Sequence, residues 1–288
     1  PTTAAADGSG PVIGAGDGPR FAFGDNWRRF LDSVDESRIV AAETSLQRSL
    51  GVADLTGRTF LDVGSGSGLF SLAAHRMGAE VRSFDYDPAS VACTEEMRRR
   101  FATGPTPWTV ERGSVLDTAY LAGLGTFDVV YSWGVLLHTG DLWAALDNVD
   151  RLVAADGRLF IAIYNDPGPS TRVWTAVKRR YNTSGPLVRA VLTAGSGALM
   201  LGESLARSAV MGRNPLEAAE QHTAQRGMSV WTDLVDWVGG YPYEAARPEA
   251  VFDFYRARDY ELTWLVTCAG RHGCNEFVFR RGSATSSS

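Results

Sequence analysis

A glycine-rich turn carries the clearest chemical signal in the sequence. The stretch FLDVGSGSGLF, residues 60–70, has an apolar strand pattern that continues into Gly64, Gly66 and Gly68 and then into a helical pattern. Glycine accepts positive φ angles and lets a ligand approach the backbone closely. The stretch therefore predicts a ligand-binding turn, although a tight strand-to-helix connection without a ligand has the same pattern.

Two carboxylates indicate which ligand the turn suits. A dinucleotide fingerprint has a glycine or alanine where this chain has Leu69. Asp62 lies just before the turn, where its charge would repel a pyrophosphate and attract an ammonium group. Asp85 follows Gly68 by 17 residues, close to the offset at which a carboxylate binds ribose hydroxyls. Ribose and ammonium without phosphate describe S-adenosylmethionine, which we expect as the cofactor.

The segments FLDVGSGSG and SFDYD together resemble the class I S-adenosylmethionine-dependent methyltransferases, and within them the ubiquinone-type O-methyltransferases of small molecules. The resemblance covers residues 60–164 well and the last strands loosely. It implies a doubly wound α/β fold with seven mostly parallel strands in the order 3-2-1-4-5-7-6 and helices on both faces. An N-terminal helical segment and a helical insertion after strand 5 complete the expected architecture.

The resemblance also implies the cofactor contacts. The methionine moiety would lie along Asp62, Gly64, Ser65 and Gly66, the ribose on Asp85 and the adenine on Tyr86. The GSVLD motif adds Ser114 and Val115 near the adenine, with Ser114 at a position that is usually acidic. The YSWG motif adds Ser132 and Trp133 near the sulfonium, and the N-terminal segment adds Trp27 as part of a lid. Trp27 could equally belong to one hydrophobic helix face with Phe23 and Phe30.

The acceptor requires a group that positions it and, where needed, removes its proton. His138 follows the fourth strand and Asp166 the fifth, at the edge where open α/β sheets bind ligands. Each also fits a structural role, the histidine in the packed interior and the aspartate in an Asx-turn before Pro167. The ubiquinone-type enzymes carry a Glu-His pair where this chain has Leu137 and His138.

The turn between the last two strands supplies two more catalytic candidates. A parallel sixth strand and an antiparallel seventh would place this turn at the same carboxyl edge. His272 and Glu276 would then face the acceptor and help to position or deprotonate it. A solvated turn without a function is the alternative.

Residues 166–247 have helical patterns but no strand pattern, and predict an insertion that selects the substrate. The helix predicted over 171–181 has apolar residues, Val173 and Trp174 among them, on one side and Lys178 with three arginines around the rest. The basic residues either attract an anionic substrate or form a solvated face. The candidate substrate contacts, all aromatic or polar, are Tyr164, Asn165, Trp174, Lys178, Tyr241, Tyr243 and Arg271.

Hydrophobic spacing predicts the elements that carry these residues. The predicted strands are 59–63, 80–85, 108–112, 127–132, 158–164, 261–267 and 275–281, and the helices between them are 69–77, 90–101, 142–153 and 248–258. The chain then divides into a tail over 1–20, a helical lid segment over 21–56, a cofactor-binding core over 57–165, a substrate cap over 166–247, core-completing elements over 248–281 and a tail over 282–288.

Composition excludes several classes of protein. A net charge of −5 over 288 residues gives no basic footprint for nucleic acid. No apolar stretch approaches the roughly 20 residues of a membrane span, and the first residues lack a signal-peptide pattern, so we expect a cytoplasmic protein. Three scattered cysteines and the lack of a Cys/His cluster predict no metal site.

We therefore expect an S-adenosylmethionine-dependent methyltransferase that acts on a small molecule, at a hydroxyl oxygen, in a biosynthetic pathway. N- or C-methylation of a small metabolite, sugar or peptide is the alternative chemistry. A binding protein that has lost turnover on a methyltransferase scaffold is the alternative class, because a fold does not fix a function. The sequence identifies neither the acceptor nor the oligomeric state.

Overall fold

The computed structural model describes residues 27, 30, 31, 34–211 and 230–282, without the side chains of 203–211, 230–233 and 236. The tail predicted over 1–20, the tail predicted over 282–288 except residue 282, and the rest of the 21–33 segment lie outside the described residues. No helix in the described part is long and apolar enough to cross a membrane.

A single seven-stranded sheet organises the chain, in the predicted order β3-β2-β1-β4-β5-β7-β6. Strands β1 to β5 run parallel, and β7 runs antiparallel to both β5 and β6. The doubly wound fold expected from the sequence is therefore confirmed. The strands are β1 Thr59–Val63, β2 Glu80–Asp85, β3 Trp108–Arg112, β4 Phe127–Trp133, β5 Val153–Tyr164, β6 Tyr260–Val266 and β7 Cys274–Arg281.

Helices cover both faces of the sheet. They are α1 Glu36–Leu50, α2 Leu69–Arg76, α3 Pro88–Phe101, α4 Thr118–Ala122, α5 Leu142–Asp150, α6 Pro169–Asn182, α7 Pro186–Met211, α8 Val230–Gly239 and α9 Pro248–Arg256. Apolar residues of α1, α2 and α3 form one core with Phe60 and Tyr131. Those of α4, α5 and α9 form a second core with Leu61 and Ile161, because successive strand residues point to opposite faces.

Aspartate caps fix where four of these helices begin. Asp35, Asp87, Asp117 and Asp141 each accept a hydrogen bond from a backbone N–H in the first turn that follows. Such a cap satisfies a donor that the helix cannot pair internally, and typically contributes about 1 kcal/mol. Asp87, Asp117 and Asp141 thereby fix where the helices that follow β2, β3 and β4 begin, and Asp35 does the same for α1, which precedes β1.

The fifth strand begins earlier than its sequence predicts. The helix expected over 142–153 ends at Asp150, and Val153 pairs with Phe127 of β4. Val149, Leu152 and Val153 are all buried, so their hydrophobicity alone could not separate the end of a helix from the start of a strand.

The insertion returns to the sheet along the carboxyl edge. Helices α6, α7 and α8 follow β5, and Ala246 then forms a parallel bridge with Asn165 just beyond the end of that strand. Glu244 N–H also donates to the carbonyl oxygen of Leu137, at 3.0 Å. These contacts place the residues of the insertion beside the loops that follow β4 and β5.

Candidate functional site

The register of the sheet brings distant residues into one row at its carboxyl edge. Asp62, Tyr131, Phe160 and Val278 are successive partners across β1, β4, β5 and β7. Two residues nearer the edge, Trp133, Ala162 and Glu276 form the next row on the same face. Asp62 and Glu276 therefore share one face of the sheet, although 214 residues separate them in the sequence.

The glycine turn crosses this edge between β1 and α2. Gly64, Gly66 and Gly68 have φ angles of +79°, +55° and +79°, which residues with side chains rarely adopt. The turn is also closely packed, because a Cβ atom on Gly64 would lie 2.3 Å from Cγ1 of Val135. Backbone geometry and space thus both require glycine at position 64.

Asp85 holds the turn against the second strand. Its Oδ2 accepts from Gly66 N–H at 3.0 Å, and its Oδ1 accepts from Asp87 N–H at 2.9 Å. Burial raises the pKa of Asp85 to about 6, and these two amide bonds partly oppose that shift. A hydroxyl pair could still donate to this carboxylate, because each oxygen can accept more than one hydrogen bond.

Asp62 is buried beneath the turn. Burial raises its pKa to about 7, a hydrogen bond from Ser71 Oγ opposes the shift, and the charge of Asp85 adds to it. The Ser71 hydroxyl donates to Asp62 Oδ2 at 2.5 Å and shares a second hydrogen bond with Ser83. A nearby positive charge would favour the ionised form of both carboxylates.

An unsatisfied hydroxyl lies in the same region. Tyr131 Oη is buried and has no hydrogen-bond partner among the described residues, and its ring packs against Phe60, Phe70 and Phe160. The charges of Asp62 and Glu276 both act on this hydroxyl. The sequence placed Tyr131 in the YSWG motif without giving it a role of its own, and its position two residues before Trp133 places both side chains on one face of the strand.

Trp27 lies over the glycine turn. A Cβ atom on Gly66 would come within 3.0 Å of its indole ring, and the ring also packs edge-on against Phe30. Trp27 contacts the hydrophobic core of the α1–α3 face as well. Trp27 thus contacts both the glycine turn and the hydrophobic face, and its role in a lid stays a prediction.

The other predicted cofactor residues have different degrees of access. Ser65 shares a hydrogen bond of 2.8 Å with Thr94, and Arg112 lies 5.9 Å from the ring centre of Tyr86. Ser114 Oγ accepts from Leu116 N–H, and Val115 is buried in the core of the α4–α5 face. Ser132 is fully buried and its hydroxyl donates to the Val63 carbonyl at 3.0 Å, so its side chain is engaged inside the sheet.

The four candidate catalytic residues fall into two groups. Glu276 Oε1 accepts a hydrogen bond from Trp133 Nε1 at 3.0 Å, on the face of the sheet that carries Asp62. His138, Asp166 and His272 lie instead with residues of the insertion. Of the four, only Glu276 shares the row that contains Trp133.

His138 is buried against the returning segment. Its Nδ1 is 2.6 Å from the Pro242 carbonyl oxygen, to which it donates as the protonated nitrogen. Burial lowers the pKa of His138 to about 3, the hydrogen bond to Pro242 opposes that shift, and the positive charge of Lys178 adds to it. The imidazole is therefore neutral near pH 7.

An aromatic cluster, here Tyr164, Trp174, Trp237, Tyr243 and His272, surrounds this histidine. Tyr164 packs edge-on against His138 and Trp237, and Trp237 packs against Trp174, His272 and Tyr243. Tyr243 is buried, whereas Tyr241 is partly exposed. The cluster unites three of the seven predicted substrate contacts, Tyr164, Trp174 and Tyr243.

The placement of Lys178 corrects the helix pattern predicted from the sequence. Its side chain is fully buried rather than on the basic face, and Val173 is 62% exposed rather than packed on the apolar side. The ammonium lies 4.3 Å from the ring centre of Trp237 and 4.7 Å from that of Tyr243, and donates to the Trp237 carbonyl. Aromatic faces attract a cation, so a lysine can occupy the side of the helix that the insertion covers.

The remaining candidates connect the turn between β6 and β7 to the end of β5. Asn165 Nδ2 donates to the Arg271 carbonyl at 2.8 Å, and Asn275 Nδ2 donates to Asn165 Oδ1 at 3.2 Å. Asp166 Oδ1 accepts from Gly168 N–H and from Thr171 Oγ1. The Asx-turn expected at Asp166 is therefore present, and Asp166 also borders a surface cavity.

Comparison with known proteins assigns this arrangement to a family. Residues 61–161 match the family model described as a methyltransferase domain, a range that includes the glycine turn, Asp85 and Trp133. The chain carries a class I S-adenosylmethionine-dependent methyltransferase domain. Its described residues contain no group of three or more His, Cys, Asp or Glu side chains that could hold a metal ion.

The chain is similar to several curated proteins over part of its length. It is 30% identical over 115 residues to a ubiquinone biosynthesis O-methyltransferase of Caulobacter vibrioides, a match that covers 39% of this chain and 43% of the relative. It is 29% identical over 89 residues to a ribosomal protein L11 methyltransferase of Bacillus cereus, covering 26% and 28%. The matches thus span less than half the length of these relatives.

The chain also aligns with magnesium protoporphyrin IX methyltransferase from Synechocystis PCC 6803, at a TM-score of 0.49 and 15% identity, over 90% of this chain and 94% of the other.

The site fits S-adenosylmethionine. Burial raises the pKa values of Asp62 and Asp85, and this cofactor carries an ammonium and a sulfonium group whose positive charge would favour the ionised form of both carboxylates. The unpaired Tyr131 hydroxyl provides a further polar group on the same face. Asp85 and the glycine turn would hold the ribose and the methionine moiety.

Proposed function

We propose that the methyltransferase transfers a methyl group from S-adenosylmethionine to a hydroxyl oxygen of a small-molecule acceptor. The observation that carries this proposal is the shared face of the sheet, which has Asp62 at one side and the Trp133–Glu276 pair at the other. The partial likeness to ubiquinone biosynthesis O-methyltransferases supports oxygen as the methylated atom.

Bound S-adenosylmethionine supplies an electrophilic methyl group on a positively charged sulfur. The chain has to hold the acceptor oxygen in line with that group and exclude competing water. Trp27, which covers Gly66, is suited to exclude water from the methionine side of the site. Trp133 ends β4 and borders the acceptor side.

Glu276 is the proposed proton acceptor for the hydroxyl. Its carboxylate is partly exposed and accepts from Trp133 Nε1, which fixes the orientation of one oxygen and leaves the other available. A general base of this kind typically raises a rate by about 10²–10⁴-fold. His138 is the weaker candidate, because burial lowers its pKa to about 3.

The test measures S-adenosylhomocysteine release with a panel of hydroxylated acceptors and their amino analogues, and identifies the methylated atom by NMR. We expect methyl ethers as products, and Glu276→Gln should lower kcat while S-adenosylhomocysteine binding is retained. Glu261→Gln is the matched control, because Glu261 is exposed on β6 and pairs only with Arg280 among the described residues. N-methylated products would refute O-methylation and support N-methylation. Cofactor binding without any turnover would support a binding protein on a methyltransferase scaffold.

A further inference from the structure

Two adjoining cavities form a groove along α6, at the carboxyl end of β5. The first has a volume of about 310 Å³ and is lined by Asp166, Gly168, Pro169, Thr171, Arg172 and Arg247. The second has a volume of about 440 Å³ and is lined by Arg172, Thr175, Ala176, Arg179, Arg180 and Thr183. Arg172 borders both cavities, so we call the pair the arginine groove.

The groove is strongly basic in a chain with a net charge of −5. Four arginines and one carboxylate line it. That carboxylate, Asp166, is already engaged by Gly168 N–H and the Thr171 hydroxyl, and these bonds, with the charges of Arg247 and Arg172, hold its pKa below the usual range. The lining therefore keeps an excess of positive charge after Asp166 is counted.

The arginines of the groove differ from most others in the described part of the chain. Arg58, Arg76, Arg82 and Arg258 each form an ion pair with a carboxylate within 4.0 Å. No such ion pair and no side-chain hydrogen bond joins Arg172, Arg179, Arg180 or Arg247 to another described residue. Among the described residues, these four guanidinium groups therefore line the groove without a carboxylate ion pair of their own.

The position of the groove relates it to the acceptor. Asp166 comes two residues after Tyr164, and Tyr164 and Trp174 both belong to the aromatic cluster. From Arg172 to Thr183 the groove extends about 17 Å along the helix, at about 1.5 Å per residue. If an acceptor enters between the insertion and the sheet, the end of the acceptor that lies farthest from its reacting atom would contact the arginines.

We propose that the arginine groove binds an anionic substituent of the acceptor, a phosphate or a carboxylate. Arg172 and Arg247 flank the first cavity and can donate paired N–H bonds to either anion, because a guanidinium matches the geometry of both. Arg179 and Arg180 then serve further negative charges along α6. This inference rests on the proposed function only in naming the anion as part of the acceptor, since anion binding itself is measured without turnover.

The first experiment titrates the complete chain with pyrophosphate and with citrate by calorimetry, with glycerol as an uncharged reference. We expect saturable binding of one or both anions that weakens with added salt, and no binding of glycerol. Arg172→Gln should weaken it by about tenfold, the scale of one charge-assisted contact. Tighter binding of pyrophosphate assigns a phosphate, and tighter binding of citrate assigns a carboxylate.

Arg99→Gln is the matched control. Arg99 is an exposed helical arginine that pairs with Glu96, and its substitution removes the same charge as Arg172→Gln does. Equal weakening by Arg99→Gln and Arg172→Gln, or no saturable binding of either anion, would overturn the proposal. Thermal melting confirms that both variants fold.

The second experiment compares an accepted neutral acceptor with its phosphorylated or carboxylated analogue. The anionic form should have the lower KM, and Arg172→Gln should remove the difference. Equal KM values for both forms would also overturn it.

The two proposals fail separately. Anion binding that depends on Arg172, in a chain that shows no methyl transfer, would leave the groove as an anion site and refute the proposed function. Methyl transfer that depends neither on Arg172 nor on an anionic group of the acceptor would support the proposed function and refute the anion site.

Discussion

The buried carboxylate of Asp62 should make cofactor binding depend on pH. Its pKa is raised to about 7 in the free protein, chiefly because burial disfavours the charge. An ammonium group bound beside it requires the ionised form, so binding below pH 7 must release a proton. The perturbation is a change of pH between 5.5 and 7.5, where an α-amino group of ordinary pKa stays largely protonated.

The size of the effect follows from the ionised fraction. With a pKa of about 7, roughly three-quarters of the molecules are ionised at pH 7.5 and about 3% at pH 5.5, so the apparent Kd should rise about 25-fold as the pH falls. Protonation of Asp85, with a pKa of about 6, would steepen the change at the acidic end. The pKa shift of Asp62 is opposite in direction to that of an exposed carboxylate in an ion pair, whose pKa is lowered.

The same shift makes a second prediction for stability, with its own sign. Because the pKa of Asp62 in the folded state exceeds its ordinary value of 3.8, the group's contribution to the free energy of unfolding falls as pH rises from about 4 to 7, and then stays constant. Asp62→Asn removes a buried charge and should stabilise the free protein at pH 7.5, by at most about 4 kcal/mol. It should at the same time weaken cofactor binding and leave only the smaller pH dependence that comes from Asp85.

The assay is calorimetric titration with S-adenosylhomocysteine in two buffers of different ionisation enthalpy, which counts the protons released. Asp54→Asn serves as the control, because the Asp54 carboxylate accepts from Thr56 N–H at an exposed position. A Kd that is constant between pH 5.5 and 7.5, with no proton release, would refute the assignment of Asp62 to the cofactor's ammonium group.

Three further substitutions test the cofactor site. Asp85→Ala should weaken S-adenosylmethionine binding by about 1–3 kcal/mol, the cost of removing a charged acceptor, and an unchanged affinity in calorimetry would contradict the ribose assignment. Trp27→Ala should speed cofactor dissociation in stopped-flow fluorescence because Trp27 covers Gly66, whereas an unchanged rate would rule out a lid. Gly64→Ala should lower the free energy of unfolding by about 1–3 kcal/mol, since the residue has a φ of +79° and its Cβ would overlap Val135; urea denaturation that matches the wild type would show that the turn relaxes.

Much of the cofactor half of the site could be predicted from the sequence. The glycine turn and Asp62 lie within a few residues of each other, and Asp85 ends the next strand, so local spacing alone relates them. Alternating strand and helix patterns indicate a parallel sheet with helices on both faces, whereas the strand order was implied by the resemblance to the class I methyltransferases. Local sequence could not place the start of β5, where buried residues of a helix and a strand adjoin.

The acceptor half depends on tertiary structure. Trp133 and Glu276 are 143 residues apart and meet only because β7 inserts antiparallel beside β5. Lys178 has a sequence position typical of a solvated helix face, yet packing of α8 and Tyr243 buries it. Arg247 joins Arg172 at one cavity because the insertion returns along the edge of the sheet. Short-range spacing and the family resemblance determined the fold and the cofactor from the sequence by itself, whereas only long-range packing decided which side chains meet on the proposed acceptor side.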